Sequence, residues 1–301
     1  MKHIGIEIIN GRLGKTMKRF ALPENWTEVP TEYAPMFVAL VAVSDNDKEG
    51  TLSLMAKMIL GDTWQYLGKQ SRRVSELLSW TLTQKPTKVG GQVWRFWAKG
   101  MIPHSYKFDG KKWRYALFKP FEVALPQYAF ADCFVLEFLD FTVALAKYLK
   151  TQDQRQLPKL LATIMRPIVA ANEYSPNPRI PYTARISNDF AEYIAAYMPY
   201  TMQVAALTVL LANMEVLSNN PNYAILFPKD KDADLDDMDE TEKANYYKQR
   251  RDNIDIGAWR KLFNAAAAVP GLGNNIEKLH AMPLHTALAA YCDHLKQQET
   301  K

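Results

Sequence analysis

The sequence predicts a mainly α-helical (α+β) chain, a helical body with two β-hairpins from its N-terminal third. Three observations predict it. From Pro126 onward apolar residues keep a three- and four-residue spacing interrupted only by short Pro- and Asn-rich stretches. Before residue 120, Asn10-Gly11 and Asp109-Gly110 each stand between runs of period two. No alternation of strand and helix suggests a parallel sheet.

The first hairpin follows from Asn-Gly, whose residues tolerate the positive φ of a two-residue turn. In that register Ile9 opposes Arg12, Ile8 opposes Leu13 and Ile4 opposes Met17, so Ile4, Ile6, Ile8, Leu13 and Met17 share one apolar face. The Pro-flanked LPENWTEVPTEY then leads into helical patterns over 33–43, 49–60 and 71–83. In the last, Ser71 serves as cap, and Val74, Leu77, Leu78 and Leu82 form one face. Between Gly90 and Phe118 the period drops to two. With Asp109-Gly110 as the turn, Phe108 opposes Lys111, Lys107 opposes Lys112 and Tyr106 opposes Trp113. Tyr106, Phe108, Trp113 and Tyr115 then face one way, and Lys107, Lys112 and Arg114 face the other.

Beyond residue 125 the run PQYAFADCFVLEFLDFTVALAKYLK reads as one long helix. QLPKLLATIMRP reads as another, stopped at Pro167. The three-proline NEYSPNPRIPYT is a loop. Helices over 189–197 and 201–217 precede an acidic loop at 219–240, and AWRKLFNAAAAV and LHTALAAYCDHL close the chain. Tyr193 to Met214 carries no charge over a length that could cross a bilayer. Pro199, Gln203, Asn213 and the absence of a flanking basic cluster assign it to buried helices instead, and no membrane partner is expected. The organisation expected is a mixed hairpin and helix region over 1–124 and a helical region over 125–301, the two joined in one domain or separate.

Composition is that of an ordinary globular chain, 48% hydrophobic and 23% charged with a net charge of +5. The charge is uneven: residues 1–124 hold 19 Lys and Arg against 11 Asp and Glu, while residues 229–242 hold eight acids. Such asymmetry marks contact with a charged partner or between the two halves. Cys133 and Cys292 are isolated, which suits a reducing compartment. Met-Lys-His-Ile-Gly opens no export signal, so the expected location is the cytoplasm of a host cell or a virion.

Motifs for chemistry fail on spacing. INGRLGKT ends as a phosphate-binding loop does, yet Ile9 stands where its first glycine belongs and no helix of adequate length follows. The run DKDADLDDMDE places Asp230, Asp232 and Asp234 at calcium-loop spacing, with Leu235 where the turn needs glycine and Thr241 where it needs glutamate. His280 and His285 are five apart, off the spacing that puts two metal ligands on one helical face. Gly271-Leu272-Gly273 has no preceding strand. Trp26, Trp64, Trp80 and Trp259 read as core anchors. The sequence therefore names no catalytic, cofactor-binding or metal-binding residue, and the expected activity is non-enzymatic.

LPENWTEVPTEY (22–33), LPKLLATIMRP (157–167) and WRKLFNAAAAVPGLG (259–273) together resemble uncharacterised proteins from phage and prophage tail regions of Bacteroidetes-type bacteria. The third segment is similar to the C-terminal helices of tail-assembly chaperones. The resemblance implies a structural or tail-assembly role among other phage proteins and carries over no residue. The expected partner-binding residues come from the charges: Lys107, Lys112 and Arg114 on the second hairpin, and Asp234, Asp236, Asp237 and Asp239 in the acidic stretch. A nucleic-acid-binding or regulatory role for the basic N-terminal region is the second reading. Oligomeric state and partner identity stay open.

Overall fold

The computed structural model describes residues 1–9, 15–30, 32–42, 44, 47–86, 93–96, 105–108, 111–114, 121–168, 179–227, 239–269, 272 and 275–299. Among them are eleven α-helices and seven short strands, a mainly helical fold.

Strands β1 (Lys2–Ile9) and β2 (Lys15–Leu22) form the first hairpin. Their register corrects the expected one: Ile9 pairs with Lys15, Ile6 with Lys18 and Ile4 with Phe20. Five positions, 10–14, lie between the last pair, so the connection is longer than an Asn-Gly turn, and the turn itself lies outside the described residues. The slip is an odd number of residues, which exchanges the faces of β2 relative to β1. Ile6 and Ile8 are buried as expected, but Phe20 and Leu22 complete their face, and Met17 lies exposed on the other.

The segment 22–30 is pinned by its tryptophan. Trp26 Nε1 donates to the Gln84 carbonyl at 2.7 Å, and Trp80 Nε1 donates to the Pro23 carbonyl at 2.9 Å. The two indoles meet edge to face at 5.4 Å. Helix α1 (Ala34–Ala42) follows, then α2 (Lys48–Leu60), whose first turn is capped by Asp47 accepting from Gly50 N–H. A Cβ on Gly50 would stand 2.1 Å from Asp47 Oδ2, so a larger residue there would make that carboxylate shift. Helix α3 (Ser71–Glu76) is shorter than expected and gives way to a 3₁₀ turn at Ser79–Leu82. Ser71 is not its cap: a 3₁₀ turn at Gly68–Gln70 runs straight into it, and Ser71 is already helical.

Strand β3 (Val93–Phe96) pairs with β6 (Phe121–Ala124), a partnership the sequence did not reveal. Between them β4 (Ser105–Phe108) and β5 (Lys111–Arg114) form the second hairpin, with Lys107 opposite Lys112 and Tyr106 opposite Trp113 as the period-two pattern predicts. Trp94 and Val123 are fully buried where β3 and β6 cross the core.

The long helix expected from Pro126 begins only at α4 (Val135–Thr151). Ahead of it Ala129 and Phe130 take positive φ values of 52° and 61°. A bulky residue in that region is strained by about 1–3 kcal/mol and persists only when its surroundings hold it. Here they do. Asn213 Oδ1 accepts from Ala129 N–H at 2.8 Å, and His285 Nε2 lies 2.8 Å from the Ala129 carbonyl. A carbonyl only accepts, so Nε2 carries the proton, and Nδ1 accepts from Tyr223 Oη at 2.7 Å. The outcome is that Phe130 sits wholly buried against Phe138 and Phe141.

Helix α5 (Leu157–Ile164) ends where Pro167 forbids continuation, and Arg166–Pro167 forms β7 on the edge of β6. Helix α6 (Ala184–Tyr197) starts five residues earlier than its apolar pattern suggests, because Thr183 Oγ1 caps it through Ile186 N–H. Pro199 then breaks the chain into α7 (Tyr200–Ser218). Among the described residues this is the one helix long and apolar enough to cross a membrane, and 56% of its apolar window is buried in the fold, against α1, α5 and the 128–130 turn.

The expected acidic loop ends at 239–240, where a helix that the sequence did not suggest begins. Helix α8 (Glu240–Asp252) follows, then α9 (Ala258–Ala267), α10 (Ile276–His280) and α11 (Leu284–Glu299). One cluster of buried apolar side chains runs from Ile6 in β1 to Cys292 in α11 and crosses residue 125 without a break. Asn213→Leu should lower stability by about 1–3 kcal/mol, because it leaves the buried Ala129 N–H without an acceptor. The urea midpoint measures it.

Candidate functional site

Among the described residues, the buried charged side chains Glu137, Arg166 and Arg179 gather where the N-terminus of α4 meets the C-terminus of α5. The sequence places Glu137 in the first turn of α4, where a carboxylate is favoured by the helix dipole. Arg166 and Arg179 arrive at the last turn of α5, where cations are favoured. Arg166 donates to the Thr163 carbonyl at 2.9 Å, and Arg179 to the Ile164 carbonyl at 2.8 Å, so the two guanidiniums cap that helix. Both also reach the same oxygen, Glu137 Oε1, each at 2.6 Å.

All three charges lie in the interior, with side-chain exposures of 1–3%. Arg179 spends its whole fork there. Nε donates to Asp132 Oδ2 at 3.0 Å, and the other donors reach the Asp132 carbonyl, Cys133 Sγ, Glu137 and Ile164. Asp132 Oδ1 in turn accepts from Gln127 N–H at 2.8 Å, which anchors the turn before α4. Arg166 is less satisfied: its Nε is buried without a hydrogen-bond partner. Its guanidinium stacks instead on the Tyr182 ring, 4.9 Å from the centroid.

Electrostatics follow from burial. Burial pulls the pKa of Arg166 down, with Glu137 opposing. Burial acts against Arg179 too, but the surrounding negative groups outweigh it and hold its pKa above the ordinary value. Burial, reinforced by the Glu137 carboxylate, pushes the Cys133 thiol well up, so at neutral pH the carboxylates are what hold Arg179. Tyr182 is raised by burial and by the hydrogen bond its phenol donates to Asp140.

Tyr182 stands between two open grooves. On one side a polar trough of about 620 Å³ runs between α4, α5 and α6. On the other an apolar groove of about 480 Å³ is lined by Phe134, Leu136, Pro181 and Ala281. The cluster therefore supports two binding-sized concavities, with Glu137 itself on the wall of the apolar one.

The residues expected from sequence lie elsewhere. Lys107 and Lys112 are cross-strand partners, and Arg114 pairs with Ser105. Asp234, Asp236 and Asp237 lie outside the described residues. Asp239 caps a helix. Its Oδ1 accepts from Thr241 and Glu242 N–H, while Glu242 Oε2 accepts from Asp239 N–H, a reciprocal arrangement that starts α8. His285 is a satisfied core histidine, and among the described residues no three potential metal ligands assemble. Missed entirely were Asp132, Glu137, Asp140, Arg179 and Tyr182. A signal existed: Glu137 and Asp140 are the only charges in the apolar run CFVLEFLDF.

Glu137→Ala should cost about 3–5 kcal/mol of stability, since it strands two buried guanidiniums; a denaturant titration measures this. Cys133 gives a pH dependence with a definite sign. Its folded pKa is raised, so its contribution is complete below the ordinary thiol value near 8.5 and is lost as pH rises toward the folded value. The wild-type urea midpoint should accordingly fall more between pH 7.5 and 10 than that of Cys133→Ala.

No protein-family model, curated protein or solved structure matches the chain.

Proposed function

We propose that the chain is a non-enzymatic structural or assembly protein of phage type, working through charged protein–protein contacts inside the host cell or in the particle. The observation that carries this reading is the register of the second hairpin. Lys107 directly opposes Lys112. Like charges opposite one another weaken a two-stranded ladder. A hairpin that retains them suits a surface whose cations meet an acidic partner. The buried cluster supports the non-catalytic half of the reading, because Arg179 is committed to Glu137, Asp132 and backbone carbonyls, and Glu137 to two guanidiniums. The phage assignment itself rests on the resemblance of the three segments.

A nucleic acid is the second reading, favoured by the same lysine pair, which would serve phosphates as well as carboxylates. The two separate by experiment. A Lys107→Glu/Lys112→Glu/Arg114→Glu variant keeps one like-charged pair for another, so its melting temperature should stay within about 1 kcal/mol equivalent of wild type. It should lose protein partners captured from phage lysate at low salt. Unchanged capture sinks the proposal; loss of duplex DNA binding with a steep salt dependence selects the second reading instead.

A further inference from the structure

The polar trough has a polarity that the fold does not require. Its wall on α4 carries Asp140 at one end and Lys147 at the other, two helical turns apart, or about 10 Å. Lys159 lines the same trough, and because only residues 152–156 join α4 to α5, the start of α5 that carries it lies beside the end of α4 that carries Lys147. Neither lysine has an ion-pair partner among the described residues, although a carboxylate is near. That carboxylate, Asp153, is already engaged by Arg155, through Nε at 2.9 Å and Nη2 at 3.1 Å. The far end is of opposite character. Asp140 takes the Tyr182 phenol on Oδ2, which leaves Oδ1 free to accept, and Ser187 of α6 adds a hydroxyl. Val143, Ala144 and Leu160 give the middle an apolar floor.

We propose that this trough binds a phosphate monoester of a sugar or polyol. Two unpaired ammoniums match a phosphate dianion as point charges. A carboxylate at the other end repels phosphate and accepts hydrogen bonds from hydroxyls, which fixes the ligand's direction. The apolar floor fits the C–H face of a polyol, and a volume near 620 Å³ is that of a small-molecule site. The proposal uses other residues than the docking surfaces above and stands or falls separately from them.

Calorimetric titration of the full chain decides it, with glucose 6-phosphate, glycerol 3-phosphate and myo-inositol 1-phosphate as probes, and glucose and inorganic phosphate as their fragments. At least one monoester should bind at least about tenfold tighter than either fragment. Lys147→Ala and Lys159→Ala should each weaken it by about tenfold or more. Asp140→Asn should weaken the monoester while leaving inorganic phosphate unchanged or tighter. Both lysines are exposed, so their variants should keep the wild-type melting temperature; Lys147→Gln serves if the alanine variant does not. Three outcomes overturn the proposal: no monoester bound at millimolar concentration, inorganic phosphate bound as tightly as every monoester, or monoester binding indifferent to both lysines.

Discussion

A single carboxylate oxygen, Glu137 Oε1, serves two buried guanidiniums, and the packing of α4, α5 and the 179–183 segment depends on it. Removing three charges from water is unfavourable unless each finds partners of good geometry. The chain supplies them by bringing the N-terminus of one helix to the C-terminus of another, so that backbone dipoles favour the same charges that the side chains pair. The arrangement also shapes the surface above it. Tyr182 stacks on Arg166 and donates to Asp140, and in that position it divides the trough from the apolar groove. A buried ion cluster thus sets the shape of two exposed concavities, and Glu137 itself forms part of the wall of the apolar one.

A second constraint acts just ahead of α4. The left-handed pair Ala129-Phe130 lets the chain turn sharply from β6 into α4 while driving an aromatic ring inward. Its polar groups are clamped by Asn213 from α7 and His285 from α11, residues far apart in sequence. The strain is local and its compensation is tertiary. Helix α7 can therefore be apolar on most of its surface and still carry Asn213 in the core, since that amide is satisfied on both sides, by Ala129 N–H and by the Val209 carbonyl.

What was legible in the sequence was what short-range periodicity determines. Helices α1, α2, α7, α9 and α11 and the β4–β5 register follow from spacing and from Asp109-Gly110. The β1–β2 register did not follow from Asn10-Gly11, because burial of Phe20 and Leu22 decides which residues of β2 face the core, and this outweighs local turn preference. Helix α8 escaped notice because it is polar almost throughout; its start is set by the reciprocal cap of Asp239 and Glu242, not by an apolar stripe. The β3–β6 pair and the Arg179–Glu137 contact join positions more than twenty residues apart, where no local pattern reaches. At the candidate site, Glu137 and Asp140 stood out as charges in an apolar run, but their cationic partners could be found only in three dimensions.

The pairing of Phe96 with Phe121 has a consequence for how such a chain can change. It places the two ends of residues 97–120 on neighbouring strands, about 5 Å apart, before the second hairpin contributes anything. Closing a longer or shorter excursion from that frame adds only a logarithmic entropy term, about 0.6 kcal/mol per doubling of length. The hairpin that carries Lys107, Lys112 and Arg114 is in this sense a cassette held by a clasp. Its sequence can diverge while Trp94 and Val123, on the clasp itself, keep the body of the molecule as it is.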